Sequence, residues 1–247
     1  MLRKELLEQW RTRRVVVVAV VFTAIGIGSP LLARYTPELV KALAGDQFQI
    51  VVPPPTAADA VSQFLKNLGQ AGVLTAILLA MGSVAVEKER GTAALLLTKP
   101  VSRGAFLLAK LLAIAATLLV GLLLGAIGGY YYTAILFEAL PPLGWGAMAG
   151  LLLLALVAYA SLTFLGSVLS RSSLGAAAIG IGAMVVLAIV SALPSVGAFT
   201  PGGLDVPGAA LAVGRDPGSV IGPLLVNFAG VAAIFGVAWI AFRRQEL

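Results

Sequence analysis

The sequence predicts an all-α integral membrane protein with six transmembrane helices, an N-terminal in-plane amphipathic helix and a short cytoplasmic helix between the second and third spans. Hydrophobic residues make up 60% of the chain and charged residues 11%, whereas soluble domains carry about 25% charged residues. Several uninterrupted apolar runs reach the roughly 18 to 20 residues that cross a bilayer as a helix. These runs do not alternate apolar and polar residues, as the strands of a transmembrane barrel would.

Residues 1–14 are predicted to form the in-plane helix. Leu2, Leu6, Leu7 and Trp10 share one face, and most of the charged residues lie away from it. This pattern is typical of a helix that lies on the inner leaflet with its basic side toward anionic head groups. The alternative interpretation is an ordinary basic flank of the first span.

Six apolar runs follow, and each is long enough to be a transmembrane helix. They cover about 15–33, 67–86, 105–129, 146–169, 174–193 and 220–242. The third run can extend to Phe137, although Tyr130, Tyr131 and Tyr132 resemble an interfacial aromatic belt. Only a polar turn, 170–173, separates the fourth and fifth spans. We expect the whole chain, 1–247, to form a single transmembrane domain.

The distribution of basic residues predicts the orientation. All but four of the 17 Lys and Arg residues fall in segments on one side of the membrane, if Lys110 snorkels from the third span to that side. By the positive-inside rule, both termini then lie in the cytoplasm, at the plasma (inner) membrane. Because the basic residues flank apolar runs as anchors, the net charge of +6 does not indicate a nucleic-acid partner.

The first long outer segment, 34–66, is predicted to contain an amphipathic helix. Three prolines, 53–55, stop any regular element, and Thr56 then makes a suitable N-cap with Asp59 in the first turn. Apolar residues follow at helical spacing, namely Val61, Phe64, Leu65 and Leu68. This helix either lies on the outer interface or runs directly into the second span.

The second long outer segment, 194–219, is predicted to be an irregular loop. Prolines and glycines recur along it, and both residue types interrupt regular helices. One short apolar stretch, 209–213, can return into the membrane.

The composition disfavours several classes of function. The chain has no cysteine and no histidine, which excludes thiol chemistry, the usual zinc sites and a Ser–His dyad. It contains no Gly-Lys pair and therefore no phosphate-binding loop of the P-loop type. The predicted span cores carry no Asp, Glu, His or Arg, so a proton-coupled carrier is disfavoured. An energy source outside this chain is expected.

A few polar side chains inside the spans are candidates for a translocation path. Asn227 carries a side-chain amide within the sixth predicted span, and Tyr159 and Ser161 lie in the fourth. The alternative is that such residues serve only contacts between helices, as small polar residues in membranes often do.

The segment 87–103 is the densest cluster of charge outside the N-terminus. It begins with alternating charges that end the second span at the inner surface, namely Glu87, Lys88, Glu89 and Arg90. Gly91 permits a sharp turn, and Thr92 can cap a short helix over 93–97. Pro100 closes this helix, and Ser102 is placed to cap the third span.

This segment resembles the first cytoplasmic loop of ABC-2-type transporter permeases, the transmembrane subunits of ABC exporters. The resemblance is carried by Glu-Lys-Glu-Arg-Gly-Thr, three leucines, Lys-Pro-Val-Ser-Arg and the following Lys110. The same family is also matched by three features of the layout, namely six predicted spans, a basic N-terminal helix, and N- and C-termini that both lie in the cytoplasm. The resemblance implies a permease subunit that moves a substrate out across the plasma membrane, driven by ATP hydrolysis in a separate ATPase subunit.

In that family the loop is the coupling helix, which seats in a groove of the ATP-binding subunit. The ATPase-coupling residues implied by the resemblance are Glu87, Lys88, Glu89, Arg90, Gly91, Thr92, Leu95, Leu96, Pro100 and Arg103. The partners implied are two ATPase copies, which use ATP and Mg, a second permease copy, identical or related, and membrane lipid. This chain itself is expected to have no catalytic residue, metal site or bound cofactor.

Two alternatives remain open at this point. Some proteins of this family resemble the membrane component that serves copper-site maturation of nitrous oxide reductase, although this chain has no Cys or His and only four Met. An integral membrane enzyme is the other alternative, and the missing catalytic residues disfavour it. The sequence does not indicate the transported substrate.

Overall fold

The computed structural model describes residues 1–44, 53–89, 91 and 102–245, and none of these residues is in a β-strand. The α-helices are α1 (Leu2–Arg11), α2 (Arg14–Ala44), α3 (Ala57–Met81), α4 (Ala85–Glu89), α5 (Arg103–Leu136), α6 (Pro142–Leu169), α7 (Ser173–Ser191), α8 (Asp205–Ala212) and α9 (Ile221–Arg243). Two short 3₁₀ turns, Gly197–Phe199 and Pro201–Leu204, precede α8. In the described ranges, six helical segments are long and apolar enough to cross a membrane. The predicted all-α fold with six spans is therefore confirmed.

The second span begins earlier than its apolar core. The α3 helix starts at Ala57, directly after a capping box in which the Asp59 amide donates to Thr56 Oγ1 and the Thr56 amide donates to Asp59 Oδ2. Its predicted apolar face is buried, from Val61 to Leu68. Of the two placements considered for this amphipathic helix, the structure shows the one that is continuous with the second span.

The third span also extends beyond its predicted core. The Ser102 hydroxyl accepts a hydrogen bond from the Ala105 amide at 3.2 Å, which confirms the predicted N-cap. The helix continues through the tyrosine triplet to Leu136, and the Tyr130 hydroxyl donates to the Leu140 carbonyl at 2.9 Å.

The packed centre of the molecule is formed by α3, α5 and α6. Large side chains from these helices are fully buried, among them Phe64, Phe106 and Phe164. The α2 helix lies so close to α5 that a Cβ at Gly26 would collide with the Gly125 carbonyl oxygen. Small residues allow this kind of close approach between membrane helices.

The α7 and α9 helices contribute less to this centre. In their most apolar windows only 17% and 11% of residues are buried, compared with 72% in α6. Their exposed side chains are mostly apolar, as Val186 and Phe228 illustrate. Such surfaces are suited to lipid or to another apolar helix.

The segment after α7 turns back along α6. The Ser191 and Thr200 hydroxyls share a hydrogen bond of 2.6 Å that closes the turn. The following α8 then packs lengthwise on α6, with Leu211 against Gly144 and Gly208 near Met148. The predicted irregular loop 194–219 thus contains an eight-residue helix, and its apolar stretch does return along a span.

Candidate functional site

Three charged residues from three helices meet at the end of the molecule that carries both termini. Lys110 Nζ lies 3.1 Å from Glu5 Oε2 and 2.8 Å from Glu87 Oε1. The Lys110 and Glu5 side chains are only 4% and 6% exposed. We call these residues the Lys110 cluster. It joins α1, α4 and α5 through one buried ammonium group.

The Lys110 side chain reaches the end of the molecule that carries both termini, as predicted, but its ammonium is covered there rather than exposed to water. The α1 helix folds over Lys110 and supplies Glu5 as a partner, and the ammonium also lies 5.1 Å from the centre of the Phe106 ring. Taking charges out of water costs several kcal/mol per ion, and hydrogen-bonded ion pairs offset that cost. Removing Lys110 would take away the one cation that Glu5 and Glu87 share.

A polar cavity of about 440 Å³ adjoins the Lys110 cluster between α1, α5 and the junction of α3 with α4. Within the described part of the chain, the enclosed oxygens Glu5 Oε1 and Gln9 Oε1 accept no hydrogen bond. A cavity of this size and polarity can hold ordered water, which would satisfy both oxygens.

A hydroxyl from α6 holds the start of α4. The chain turns at Gly82 to Val84 between α3 and α4, and the first amides of a helix have no partner within it. The buried Ser167 hydroxyl accepts hydrogen bonds from the Val84 and Ala85 amides at 3.0 and 2.9 Å. The sequence of α6 therefore positions the helical turn that leads into the segment 87–103.

The two ends of the segment 87–103 are tied to helix C-termini. Lys88 Nζ donates to the Val168 carbonyl at 2.6 Å, at the end of α6. Arg103 Nη1 donates to the Phe242 and Arg243 carbonyls at 3.1 and 2.9 Å, at the end of α9. Cationic side chains are favourable at these positions because unpaired carbonyls give helix C-termini a partial negative charge.

The remaining predicted coupling residues divide into two groups. Glu89 is exposed at the end of α4, and Gly91 has a φ of 67°, which fits the predicted turn. The others lie outside the described residues, namely Arg90, Thr92, Leu95, Leu96 and Pro100. The short helix expected over 93–97 also falls outside them and stays a prediction.

The three residues predicted to line a translocation path, Asn227, Tyr159 and Ser161, do not come together at one site. Asn227 Nδ2 donates to the Phe199 and Pro223 carbonyls at 3.1 and 2.9 Å, so its amide ties α9 to the first 3₁₀ turn. Ser161 is buried and donates to the Ala158 carbonyl of its own helix. Tyr159 lies two positions earlier on α6, so the two side chains point in different directions.

The structure adds one ionisable residue that the sequence reasoning did not select. Asp205 begins α8 and is half-buried beside α6. Burial raises the pKa of its carboxyl from 3.8 to about 6, and its charge acts on the phenol of Tyr159. A signal was present in the sequence, because Asp205 is the one charged residue of the otherwise apolar stretch 204–213.

The comparisons with known proteins agree with this layout. The model of the ABC-2 family transporter proteins matches residues 1–201, well over half of the chain. The chain is also similar to the uncharacterized transmembrane protein YxlG of Bacillus subtilis (strain 168). It is 28% identical to YxlG over 184 residues, which cover 74% of this chain and 71% of that protein. The chain, a multi-pass membrane protein with six apolar helices, therefore belongs to the ABC-2 family of transporter proteins.

Proposed function

We propose that this chain is the membrane-spanning permease of an ATP-driven exporter in the plasma membrane. Both termini and the segment 87–103 face the cytoplasm in this proposal, and a separate ATPase subunit docks on that segment. Family membership supports a role in transport. The observation that carries the proposal is the anchoring of both ends of the segment, at Lys88 and Arg103, to the C-terminal ends of two spans, α6 and α9.

This anchoring gives the segment a means of moving the spans. Its first end joins α4, which Ser167 holds to α6 and Glu87 holds to Lys110. Its second end joins α5 and binds the C-terminus of α9. A displacement of the segment by an ATPase would therefore act on α5, α6 and α9 together. Rigid-body rocking of this kind is how alternating-access transporters move around a central site.

We propose that two copies of the permease, identical or related, assemble with two ATPase subunits. The exposed apolar faces of α7 and α9 support this, because each offers surface that a second set of helices can cover. The ATP and Mg belong to the ATPase subunits in this proposal. The permease contributes motion and a path for the substrate but no catalytic residue.

The proposal is tested by co-expressing the permease with each candidate ABC ATPase subunit of the same genome and isolating the complex through the permease. Glu89 is exposed and lies within the segment, so Glu89→Arg is expected to reduce the recovered ATPase several-fold. Leu96→Asp is expected to do the same through loss of an apolar contact. Glu38→Arg is the matched control, since Glu38 is equally a charged, exposed residue but lies on the far end of α2.

Two results would contradict the proposal. One is recovery of the permease without any nucleotide-hydrolysing partner from a membrane that expresses both proteins. The other is normal ATPase recovery and normal ATP-dependent transport in both segment variants, which would place the docking surface elsewhere.

A further inference from the structure

We propose that a groove between α5 and α6 binds one acyl chain of a membrane phospholipid. This α5–α6 groove has a volume of about 510 Å³, which lies within the usual range for a ligand site. It is found toward the end of the molecule opposite the Lys110 cluster. The proposal goes beyond the proposed transport function and does not rest on it.

The α5–α6 groove extends over one leaflet of the membrane. Its lining runs from Tyr131 to Leu119 on α5 and from Pro142 to Leu153 on α6. At a rise of about 1.5 Å per residue, these two stretches are about 18 and 17 Å long. The groove therefore starts near the connection between the two helices and ends near their midpoints. Half of the hydrocarbon core of a bilayer is about 15 Å thick, so the groove matches the reach of a single acyl chain.

The sides of the α5–α6 groove are formed by large residues on one helix and glycines on the other. Leu123 and Ile127 of α5 line it and are 50% and 66% exposed. Gly146 and Gly150 lie about one helical turn apart on α6 and also line it. A Cβ at either glycine would meet no atom within 4 Å. The absence of side chains at these two positions therefore keeps the groove open.

The polar groups of the buried aromatic side chains in the groove are already bonded within the protein. Trp145 is 4% exposed, and its ring centre lies 5.1 Å from that of Phe64 and 5.7 Å from that of Tyr130. The indole Nε1 donates to the Ala126 carbonyl at 3.0 Å, and the Tyr130 hydroxyl donates to the Leu140 carbonyl. In the described part of the chain, no charged residue lines the groove. The groove therefore offers apolar contacts to a ligand, which favours a hydrocarbon chain.

The position of the α5–α6 groove favours a lipid over a helix from a second copy of the chain. A transmembrane helix crosses both leaflets, whereas the groove ends near the middle of α5 and α6. Its lining includes no residue of α7 or α9, the two helices whose exposed faces suit contact between permease copies. At the other end, Tyr131 is 60% exposed and packs edge-on against Tyr132. Tyrosine rings are enriched at the level of the lipid head groups, so the head group of the bound lipid would lie at this end.

The test measures how strongly brominated lipid chains quench the fluorescence of Trp145. The full chain carries Trp10→Phe and Trp239→Phe, which leave Trp145 as its one tryptophan. This protein is placed in nanodiscs of phosphatidylcholine, with or without bromine on the acyl chains. Bromine quenches tryptophan only at close range, and Trp145 is almost enclosed by protein. Quenching therefore reports a chain that lies in the groove.

Gly150→Leu fills the groove, and Gly28→Leu is the matched control. Gly28 lies on α2, outside the groove lining, and a Cβ there would also meet no atom within 4 Å. Both changes replace a glycine inside a helix, so the gain in helix propensity is the same. We expect strong quenching in the single-tryptophan protein and with Gly28→Leu, and several-fold weaker quenching with Gly150→Leu. Equal quenching in the two leucine variants would overturn the proposal.

The single-tryptophan protein keeps the proposal testable if Gly150→Leu does not fold. Absence of quenching in this protein would refute the site, and it is the result expected if a second copy of the chain covers the groove. Native mass spectrometry of the detergent-purified wild type gives a second measurement and should show one retained phospholipid per chain. Wild type that retains no phospholipid would also contradict the proposal. Neither experiment involves an ATPase or transport, so failure here would leave the proposed function untouched.

Discussion

The Lys110 cluster and Asp205 are two places where this protein buries carboxylates, and it treats them differently. In the Lys110 cluster, Glu5 and Glu87 share one ammonium group at 3.1 and 2.8 Å. Asp205 has no cation beside it in the described part of the chain. Paired charges hold elements together, whereas an unpaired charge at membrane depth is costly without a ligand or a proton. The difference separates an end where charges tie three helices together from a carboxylate that lies beside α6 without a cation.

The largest expected effect follows from breaking the paired site. Lys110→Met removes the buried ammonium that Glu5 and Glu87 share, and removing one partner of a buried ion pair costs about 3 to 5 kcal/mol. Thermal unfolding in detergent should show a marked loss of stability. The control is Lys66→Met, because Lys66 is exposed and substitutions at such positions change stability by about 0.5 kcal/mol or less.

A rescue experiment distinguishes lost pairing from lost packing. If charge is the cause, adding Glu5→Gln and Glu87→Gln to Lys110→Met should recover much of the stability, since the two negative charges that Lys110 balances would then be gone. Wild-type stability in the single variant would show that the three groups are not a buried charge cluster.

The fold could be predicted to a large extent because its signals are local. Apolar run length identified the six spans, and the caps at Thr56 and Ser102 depend on residues within one helical turn. Helix ends were less predictable. The α2 helix continues to Ala44, well beyond its apolar core and past Pro37, because hydropathy marks the apolar part of a helix and not where its backbone hydrogen bonds end.

The two buried charge sites could not be predicted in the same way. Glu5 and Lys110 are 105 positions apart, and nothing in either local sequence indicates that α1 folds over α5. The depth of Asp205 depends on the return of α8 along α6, whereas its sequence neighbours are prolines and glycines typical of a loop. The segment 87–103 was identified by its motif, and its central part lies outside the described residues.

The second prediction concerns Asp205, the carboxylate without a cation, and the way in which its ionisation makes protein stability depend on pH. The folded-state pKa of Asp205 is about 6, against 3.8 for the free side chain, so folding disfavours the ionised form. The wild type should lose stability relative to Asp205→Asn as pH rises from about 4 to about 6 and then stay constant. The full difference is up to about 3 kcal/mol, since one pKa unit corresponds to about 1.4 kcal/mol.

This measurement uses thermal unfolding of both proteins over a pH series in detergent. Asp216→Asn, at an exposed carboxylate, should show no such pH-dependent difference from wild type. A difference between wild type and Asp205→Asn that does not vary over this interval would mean that the carboxyl is solvated, and the contrast with the Lys110 cluster would disappear.

The smallest effect is expected at Ser167, and it tests whether α4 is held near the Lys110 cluster by charge alone. Ser167→Ala removes the acceptor of the buried Val84 and Ala85 amides, and an unsatisfied buried donor costs about 1 to 3 kcal/mol. Hydrogen exchange at these two amides should accelerate while the Lys110 cluster stays intact. Ser161→Ala is the matched control, because Ser161 bonds only within its own helix, and alanine there should change stability little. Unchanged exchange in Ser167→Ala would show that Ser167 does not hold α4, and would assign the position of α4 to the contacts of Glu87 with Lys110 and of Lys88 with Val168.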